Sequence, residues 1–194
     1  MSRLAMLSLA AAIITTTTFA ADPLWIEGES AATQSKSFNI AQGPAFSGGK
    51  MLRFYANANA IAKDGDIATW NLTVAGRAGE HEFWARLGYR PWSDFQWRFD
   101  DGQWQTSSKS AGFFEFVKLP VNEGGVTEAC WASLGKVKLQ PGEHTLQVRL
   151  SAASNQNYVL QSFDCFVLST SPFTPAGQYK PGDAPRSIRP AQPT

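Results

Sequence analysis

The chain has 194 residues, of which 17% are charged, and its 17 lysine and arginine side chains nearly balance its 16 aspartate and glutamate side chains. This balance excludes an overall electrostatic preference for nucleic acid or for an anionic membrane. The length is sufficient for one domain with a substantial core and too short for two typical domains.

The first 20 residues have the pattern of a secretory signal peptide. They carry one positive charge, at Arg3, then an apolar stretch and small residues that predict cleavage near Ala20 or Ala21. Residues 15–18, all threonine, interrupt the apolar run before it reaches the roughly 20 residues that a membrane span requires. We therefore expect a secreted or periplasmic protein with no membrane span in its mature form.

Residues 22–169 are predicted to form one domain built of strands. Apolar residues at every second position, or short apolar runs bounded by turn residues, are typical of strands. Such runs are found at 24–30, 51–55, 67–74, 81–87, 94–100, 113–119, 131–139, 144–150 and 163–168. Residues 31–49 are polar and small, and the Ala-rich run 56–62 allows only a helical turn. The pattern indicates an all-β fold, a single antiparallel β-sandwich of the jelly-roll type.

The C-terminal segment, 170–194, differs in composition from the rest of the chain. Its six prolines are separated mainly by small and polar residues. This composition is typical of a linker or a disordered tail. It suggests that the domain is joined to a catalytic or anchoring partner.

The chain has two cysteines, Cys130 and Cys165, each in or beside a predicted strand. In an oxidising compartment an even number of cysteines favours one disulfide, and these two would be cross-sheet neighbours. Two buried free thiols are the alternative, because a sequence does not give the distance between them.

Three further side chains are assigned to sheet faces from their position in the strands. Trp97 is expected on the face opposite Phe95 and Phe99, where it would be exposed. His81 and His144 are expected to face the solvent rather than to act as a base or a metal ligand.

A series of short motifs, in order along the chain, resembles one family. The motifs are Glu27-Gly28-Glu29, Ser47-Gly48-Gly49-Lys50, residues 78–86, Asp101-Gly102, residues 139–144 and residues 164–168. Together they span about residues 24–169 and resemble the carbohydrate-binding modules of families 6 and 35, which are galactose-binding-like β-sandwiches. The chain departs from the family in Gly28, where the family has alanine, in the Ala-rich run 56–62 and in the long segment 106–129.

The resemblance implies a structural calcium ion. It makes Glu27, Glu29 and Asp164 the candidate ligands, together with a backbone carbonyl near Lys50. Calcium takes six to eight oxygen ligands, which suits carboxylates that lie close together. The alternatives are exposed acids, or acids paired with an arginine such as Arg53 or Arg149.

Two loops carry side chains suited to a sugar, which needs flat aromatic faces for its C–H groups and planar polar groups for its hydroxyls. The loop 88–93 holds Tyr89, Arg90 and Trp92, and the loop 151–158 holds Asn155, Asn157 and Tyr158. Arg90 would bind a carboxylate if the sugar were a uronic acid. Trp92 has the alternative role of closing the end of the core.

These features predict a non-catalytic domain that binds polysaccharide or oligosaccharide and directs a fused catalytic domain to it. The sequence has no nucleophile elbow, zinc-protease motif or phosphate loop. One alternative is a jelly-roll polysaccharide lyase or glycoside hydrolase with an unrecognised site. Such lyases use Tyr, His, Arg and Gln clustered on one sheet, and no single predicted strand carries that cluster. Another alternative is a cell-surface protein-interaction module, which should expose an apolar patch.

Overall fold

The computed structural model describes residues 23–76, 78–89, 94–107, 112–123, 126–152, 157–177 and 180. Within these ranges the chain forms strands and three short 3-10 turns, at Gly28–Ser30, Ser47–Gly49 and Ala58–Ala60. The strands are β1 (Leu24–Glu27), β2 (Thr33–Gln34), β3 (Phe38–Gln42), β4 (Lys50–Asn57), β5 (Asp66–Val74), β6 (Gly79–Gly88), β7 (Gln96–Phe99), β8 (Gln105–Thr106), β9 (Phe113–Glu123), β10 (Val126–Leu139), β11 (Gly142–Leu150) and β12 (Tyr158–Ser169). The described residues include no helix long and apolar enough to cross a membrane.

The strands form two antiparallel sheets. One sheet has seven strands, in the order β3-β4-β12-β6-β10-β9, with β1 also paired to β12; the other has five, in the order β2-β5-β11-β7-β8. Strand β12 is central because β6 lies along one of its edges while β4 and β1 share the other edge in succession. The predicted fold class, an all-β antiparallel sandwich, is confirmed.

The main core lies between the two sheets, where alternate residues of facing strands interdigitate. Trp70 of β5 packs edge-on against Phe166 of β12, with ring centroids 5.0 Å apart. Phe83 of β6 makes a similar contact with Trp97 of β7, at 4.9 Å. The assignment of Trp97 to an exposed face was wrong: residues two apart share a face of a strand, so Trp97 lies in the core beside Phe99.

Part of the outer face of the seven-stranded sheet is covered by the segment that follows β12. Phe173 packs against Trp84 and Trp131, and the indole Nε1 of Trp131 donates a hydrogen bond to the carbonyl of Gly177 at 2.9 Å. The first residues beyond the predicted boundary at 169 therefore contact the sandwich. The predicted signal peptide, 1–20, and residues 181–194 of the predicted tail lie outside the described residues.

Several elements differ from those predicted. Residues 38–42, in the polar and small segment where no strand was predicted, form the edge strand β3. The Ala-rich run contains a single 3-10 turn at Ala58–Ala60, and β7 is only four residues long. The short strands β2 and β8 lie at the two edges of the five-stranded sheet, and two residues are too few to show a period-two pattern.

The predicted disulfide is wrong, because Cys130 and Cys165 are both free and buried. Cys130 on β10 lies opposite Leu87, and Cys165 on β12 lies opposite Arg86, so that β6 separates the two cysteines. Two strand spacings of about 4.8 Å place the Cα atoms beyond the roughly 7 Å that a disulfide can bridge. Burial raises the pKa of the Cys130 thiol to about 12 and that of Cys165 well above its ordinary value.

The two histidines also differ from expectation. His81 is buried, because it shares the inward face of β6 with Phe83 and Ala85. His144 is mostly covered, since its Nδ1 lies 2.8 Å from Asp100 and its Nε2 lies 2.7 Å from the carbonyl of Gln140. The expectation that both rings face solvent was wrong for His81, and the His144 side chain is only 12% exposed.

Candidate functional site

The two loops predicted to bind a ligand leave the same end of the seven-stranded sheet. Gly88, the last residue of β6, lies opposite Ser162 of β12 and Ala129 of β10. Because β12 runs antiparallel to β6, the end of β6 lies beside the start of β12. The sheet therefore brings Tyr89 to the same end as Asn157 and Tyr158. Arg90, Trp92 and Asn155 lie outside the described residues.

Tyr89 belongs to an aromatic cluster with strand β9. Its ring centroid lies 5.6 Å from that of Phe113 and 5.0 Å from that of Phe116, both in edge-on contacts. Its backbone N–H donates to the carbonyl of Glu128 at 2.8 Å. Strand β9 pairs with β10 and forms the edge of the sheet. On this strand Phe116 is 52% exposed and Phe114 is 46% exposed. Tyr89 is thus held by its backbone hydrogen bond beside the exposed ring of Phe116.

The exposure of β9 aromatics could have been inferred from the run Phe113-Phe114-Glu115-Phe116. Three aromatics in four residues cannot all lie on one face of a regular strand. Glu115 has a positive φ of 51°, and the register of β9 on β10 shifts at this point. Such an irregularity is a β-bulge, which redirects the side chains that follow it.

A second aromatic pair lies on the other side of β6. Tyr55 of β4 and Tyr158 of β12 have ring centroids 6.0 Å apart, tilted by 47°. They are 53% and 44% exposed. The backbone carbonyl of Asn157 accepts a hydrogen bond from the N–H of Ala58 at 2.9 Å, which fixes the chain just before Tyr158. Sequence reasoning identified Tyr158 and missed Tyr55, whose partner strand is distant in the chain.

The third predicted ligand of calcium, Asp164, is occupied by other partners. One carboxylate oxygen accepts a hydrogen bond from Arg86 Nη1 at 2.5 Å, and the other accepts one from the backbone N–H of Ser47 at 2.7 Å. Arg86 also donates to the carbonyl of Ala45 at 3.1 Å. Burial raises the pKa of Asp164, while the charge and the hydrogen bond of Arg86 favour its ionised form. The arginine partner of Asp164 is therefore Arg86 rather than Arg53 or Arg149.

The other two predicted ligands, Glu27 and Glu29, follow each other around a 3-10 turn beside this pair. Glu27 Oε1 forms an ion pair with Lys180 at 2.9 Å. The Oε2 atom of each glutamate is buried without a hydrogen-bond partner. Burial raises the pKa of Glu29, and the charge of Glu27 adds to this effect. Two buried carboxylate oxygens without donors fit a cation, although the described residues contain no cluster of three His, Cys, Asp or Glu side chains able to hold one.

Gly28, between the two glutamates, is required by the packing. A Cβ placed on Gly28 would lie 1.9 Å from the carbonyl oxygen of Phe163. The carbonyl of Gly28 also accepts a hydrogen bond from Trp70 Nε1 at 3.0 Å. The close approach occurs at the bulge of β12 between Phe163 and Cys165. The glycine that departs from the family motif therefore fits the local backbone.

Comparison with known proteins finds no matching family model and no matching curated protein. Solved structures do match. The C-terminal CBM6 of a marine laminarinase from Zobellia galactanivorans superposes with a TM-score of 0.52, at 13% identity over 77% of this chain and 100% of that one. The GH26-CBM35 β-(1,4)-mannanase of Podospora anserina gives 0.51, at 14% identity over 79% of this chain and 29% of that one.

A third match is the insecticidal crystal protein Cry2Aa, with a TM-score of 0.53 at 14% identity over 76% of this chain and 21% of that one. The first hydrolases matched are far longer, and this chain spans 29% of their length. Identities this low show a shared fold and no more. This chain is similar in fold to carbohydrate-binding modules and to part of an insecticidal protein.

Proposed function

We propose that this domain is a non-catalytic carbohydrate-binding module of the family 6 or family 35 type. The observation that carries the proposal is a group of aromatic rings, three exposed and one half-buried, at one end of the sandwich, where the loops 88–93 and 151–158 emerge. Tyr55 and Tyr158 lie on one side of β6, and Tyr89 with Phe116 lies on the other. Flat apolar faces at fixed positions suit the C–H faces of sugar rings.

The fixed positions of these rings support the proposal, because they make the surface preorganised for a sugar. The rings are carried by paired strands, and the chain beside them is held by backbone hydrogen bonds at Tyr89 and Ala58. Side chains of the protein that are already positioned before binding lose little conformational entropy when the complex forms. Arg90, Trp92, Asn155 and Asn157 are proposed to supply the polar contacts and a further stacking surface.

The wider role follows from the same proposal. The fold occurs as a separate CBM6 in a laminarinase and within a mannanase, which supports a role in directing a fused catalytic domain to polysaccharide. The predicted signal peptide supports action outside the cell or in the periplasm. A calcium ion held by Glu27 and Glu29 would stabilise the turn at Gly28, and Asp164 would contribute only through a lone pair that Arg86 and Ser47 leave free.

The test is binding of the purified domain to a panel of immobilised neutral and uronic polysaccharides. Four single variants remove candidate contacts: Tyr55→Ala, Trp92→Ala, Phe116→Ser and Tyr158→Ala. Ile40→Ala is the matched control, since Ile40 is an exposed apolar residue on the edge strand β3. Saturable binding that falls about tenfold in one or more site variants and not in the control supports the proposal. A folded domain that binds no glycan contradicts it.

Catalysis is tested in the same samples. The proposal predicts no new reducing ends and no unsaturated uronate products after long incubation with each polysaccharide that binds. Turnover that persists through purification would instead favour the lyase or hydrolase alternative.

A second candidate function is protein interaction, which is favoured by one observation. The edge strand β9 exposes Phe114, Phe116 and Val117, and such edges are sites for pairing with another chain. This candidate predicts that Val117→Lys abolishes association with a protein partner or with a second copy while leaving glycan binding intact. Sedimentation of the domain over a range of concentrations would detect self-association.

A further inference from the structure

The segment that follows β12 turns back over the outer face of the seven-stranded sheet. The turn is closed at Ser169, whose hydroxyl donates to the carbonyl of Ser171 at 2.7 Å and accepts from the N–H of Ser171 at 3.2 Å. The N–H of Phe173 then donates to Glu82 Oε2 at 3.0 Å, and the same oxygen accepts from Trp84 Nε1 at 3.2 Å. The segment is therefore held on β6 soon after it leaves the last strand.

Trp131 of β10 shows how closely this segment is packed. Its side chain lies on the outer face, opposite to that of the core residue Ala132, and yet it is fully buried. The ring centroid of Phe173 lies 5.5 Å from that of Trp131, and Trp131 Nε1 donates to the carbonyl of Gly177 at 2.9 Å. The segment therefore covers Trp131, together with Trp25, whose ring centroid lies 5.7 Å away.

The same segment reaches the acidic turn at Gly28–Ser30 through Lys180. The ammonium group of Lys180 lies 2.9 Å from Glu27 Oε1. Burial raises the pKa of Glu29, the charge of Glu27 adds to this rise, and the charge of Lys180 opposes it. Both glutamates therefore interact with the positive charge of one side chain, which comes from beyond the last strand.

A single ammonium group satisfies this turn only in part. The Oε2 atoms of Glu27 and Glu29 are buried without a hydrogen-bond partner. A calcium ion takes six to eight oxygen ligands, so it can use oxygens that the ammonium group leaves unpaired. Two positive charges a few ångströms apart repel each other, and the Lys180 side chain is 41% exposed and can move into water. The ammonium group and a calcium ion therefore compete for the same glutamates.

We propose that residues 170–180 form a strap in which Lys180 serves as the internal cation of the acidic turn, and that a calcium ion displaces it. Calcium at Glu27 and Glu29 frees the end of the strap, while the contacts with Trp131 keep the rest of it on the sheet. The proposal rests on the proposed calcium site and is independent of glycan binding. For a fused partner, calcium thus shifts the point at which the chain leaves the sandwich.

The first experiment measures the calcium affinity of the purified chain by titration calorimetry, in wild type, Lys180→Met and Lys136→Met. Lys136→Met is the matched control, because it also removes one exposed lysine together with its ion pair, which joins Lys136 Nζ to Glu80 Oε1 at 2.8 Å. Lys180→Met should bind calcium about threefold more tightly than wild type, the effect of removing competition from one weak ion pair. The control should bind calcium as the wild type does.

The second experiment follows the Lys180 side chain itself and needs no change to that residue. Brief acetylation followed by mass spectrometry gives the labelling rate of each lysine. Calcium should raise the labelling rate of Lys180 in the wild type and leave that of Lys136 unchanged. Glu29→Gln, which removes a proposed calcium ligand, should abolish the rise.

The outcomes separate the strap from the calcium site. Tighter calcium binding by Lys180→Met, together with faster labelling of Lys180 in calcium, supports the proposal. Equal calcium affinity in wild type and Lys180→Met overturns it and leaves the calcium site standing, as does a Lys180 labelling rate that bound calcium does not change. Failure of wild type and Lys180→Met alike to bind calcium overturns both the displacement and the site.

Discussion

Arg86 on β6 and Asp164 on β12 form an ion pair of 2.5 Å in which both side chains are only 1% exposed. The pair lies where the end of β1, the turn at Ser47–Gly49 and β12 meet, and it also holds the backbone at Ala45 and Ser47. A buried pair of this kind contributes little net stability over an apolar pair, but the loss of one partner leaves a charge without compensation.

We therefore expect Asp164→Ala to lower the free energy of unfolding by about 3–5 kcal/mol. The physical reason is the buried guanidinium of Arg86, which stays charged when its carboxylate is removed. Urea denaturation followed by tryptophan fluorescence measures the change. Arg86→Met/Asp164→Leu is the control, because it removes both charges together and should be much less destabilising than the single change. Equal losses in both variants would show that the charge is not the cause.

Gly28→Ala should destabilise the domain by about 1–3 kcal/mol, the usual range for overpacking. The added Cβ would meet the Phe163 carbonyl oxygen at 1.9 Å, and a backbone atom cannot rotate away as a side chain can. The matched change is Gly76→Ala, where no atom lies within 4 Å but φ is +90°. Thermal melts compare the two variants. A Gly28 variant as stable as wild type would mean that the turn can move away from β12.

The longer strands could be predicted because they depend on local alternation, although the faces of Trp97 and His81 were assigned wrongly. The run from His144 to Leu150 alternates in the sequence and in its burial alike, whereas in the run from Phe83 to Leu87 the polar Arg86 is buried too. Partners across strands could not be predicted, because they depend on strand order. Strand β6 lies between β10 and β12, so it separates Cys130 from Cys165. The same strand order places Arg86 of β6 next to Asp164 of β12.

The same limit applies to clusters of side chains that come from different strands. A search along single strands finds no Arg and Gln cluster, yet β7 contributes Gln96 and Arg98 while β11 contributes Gln147 and Arg149. These strands are about 50 residues apart in the chain and adjacent in the sheet. Each strand alone shows only an alternating polar face, and the cluster exists only once the sheet has formed.

The contact between His144 and Asp100 predicts a pH-dependent stability. The hydrogen bond to Asp100, followed by that to the Gln140 carbonyl, raises the pKa of His144 above its ordinary value of 6.5. A group with a raised pKa in the folded state stabilises fully below its unfolded pKa, and the stabilisation is lost as pH rises through the folded value. The free energy of unfolding should therefore fall as pH rises above 6.5, and His144→Gln should lack this fall.

Asp100 sets the acidic limit of the pH range in which its contact with His144 stabilises the fold. Burial opposes its ionisation, but hydrogen bonds from His144 and Thr145 outweigh burial and lower the pKa of Asp100 below 3.8. Its stabilisation is present above 3.8 and is lost as pH falls through the lowered value. Urea denaturation across this range, in wild type and in His144→Gln, measures both limits. Identical pH profiles in the two proteins would contradict the assignment.

The proposed calcium ion at Glu27 and Glu29 predicts that one substitution has opposite effects in two buffers. Without a cation, Glu29 is a partly buried acid whose pKa is raised by burial and by the charge of Glu27, so that Glu29→Gln should stabilise the domain or leave it unchanged in a chelator. With calcium at about 100 times its dissociation constant, binding should stabilise the wild type by about 2.7 kcal/mol, and Glu29→Gln should remove most of this gain. Melting temperatures with calcium and with chelator give the four values needed. A wild type that melts at the same temperature in both buffers would contradict calcium binding. Lys180 would then be the partner of this acidic turn, through its ion pair with Glu27.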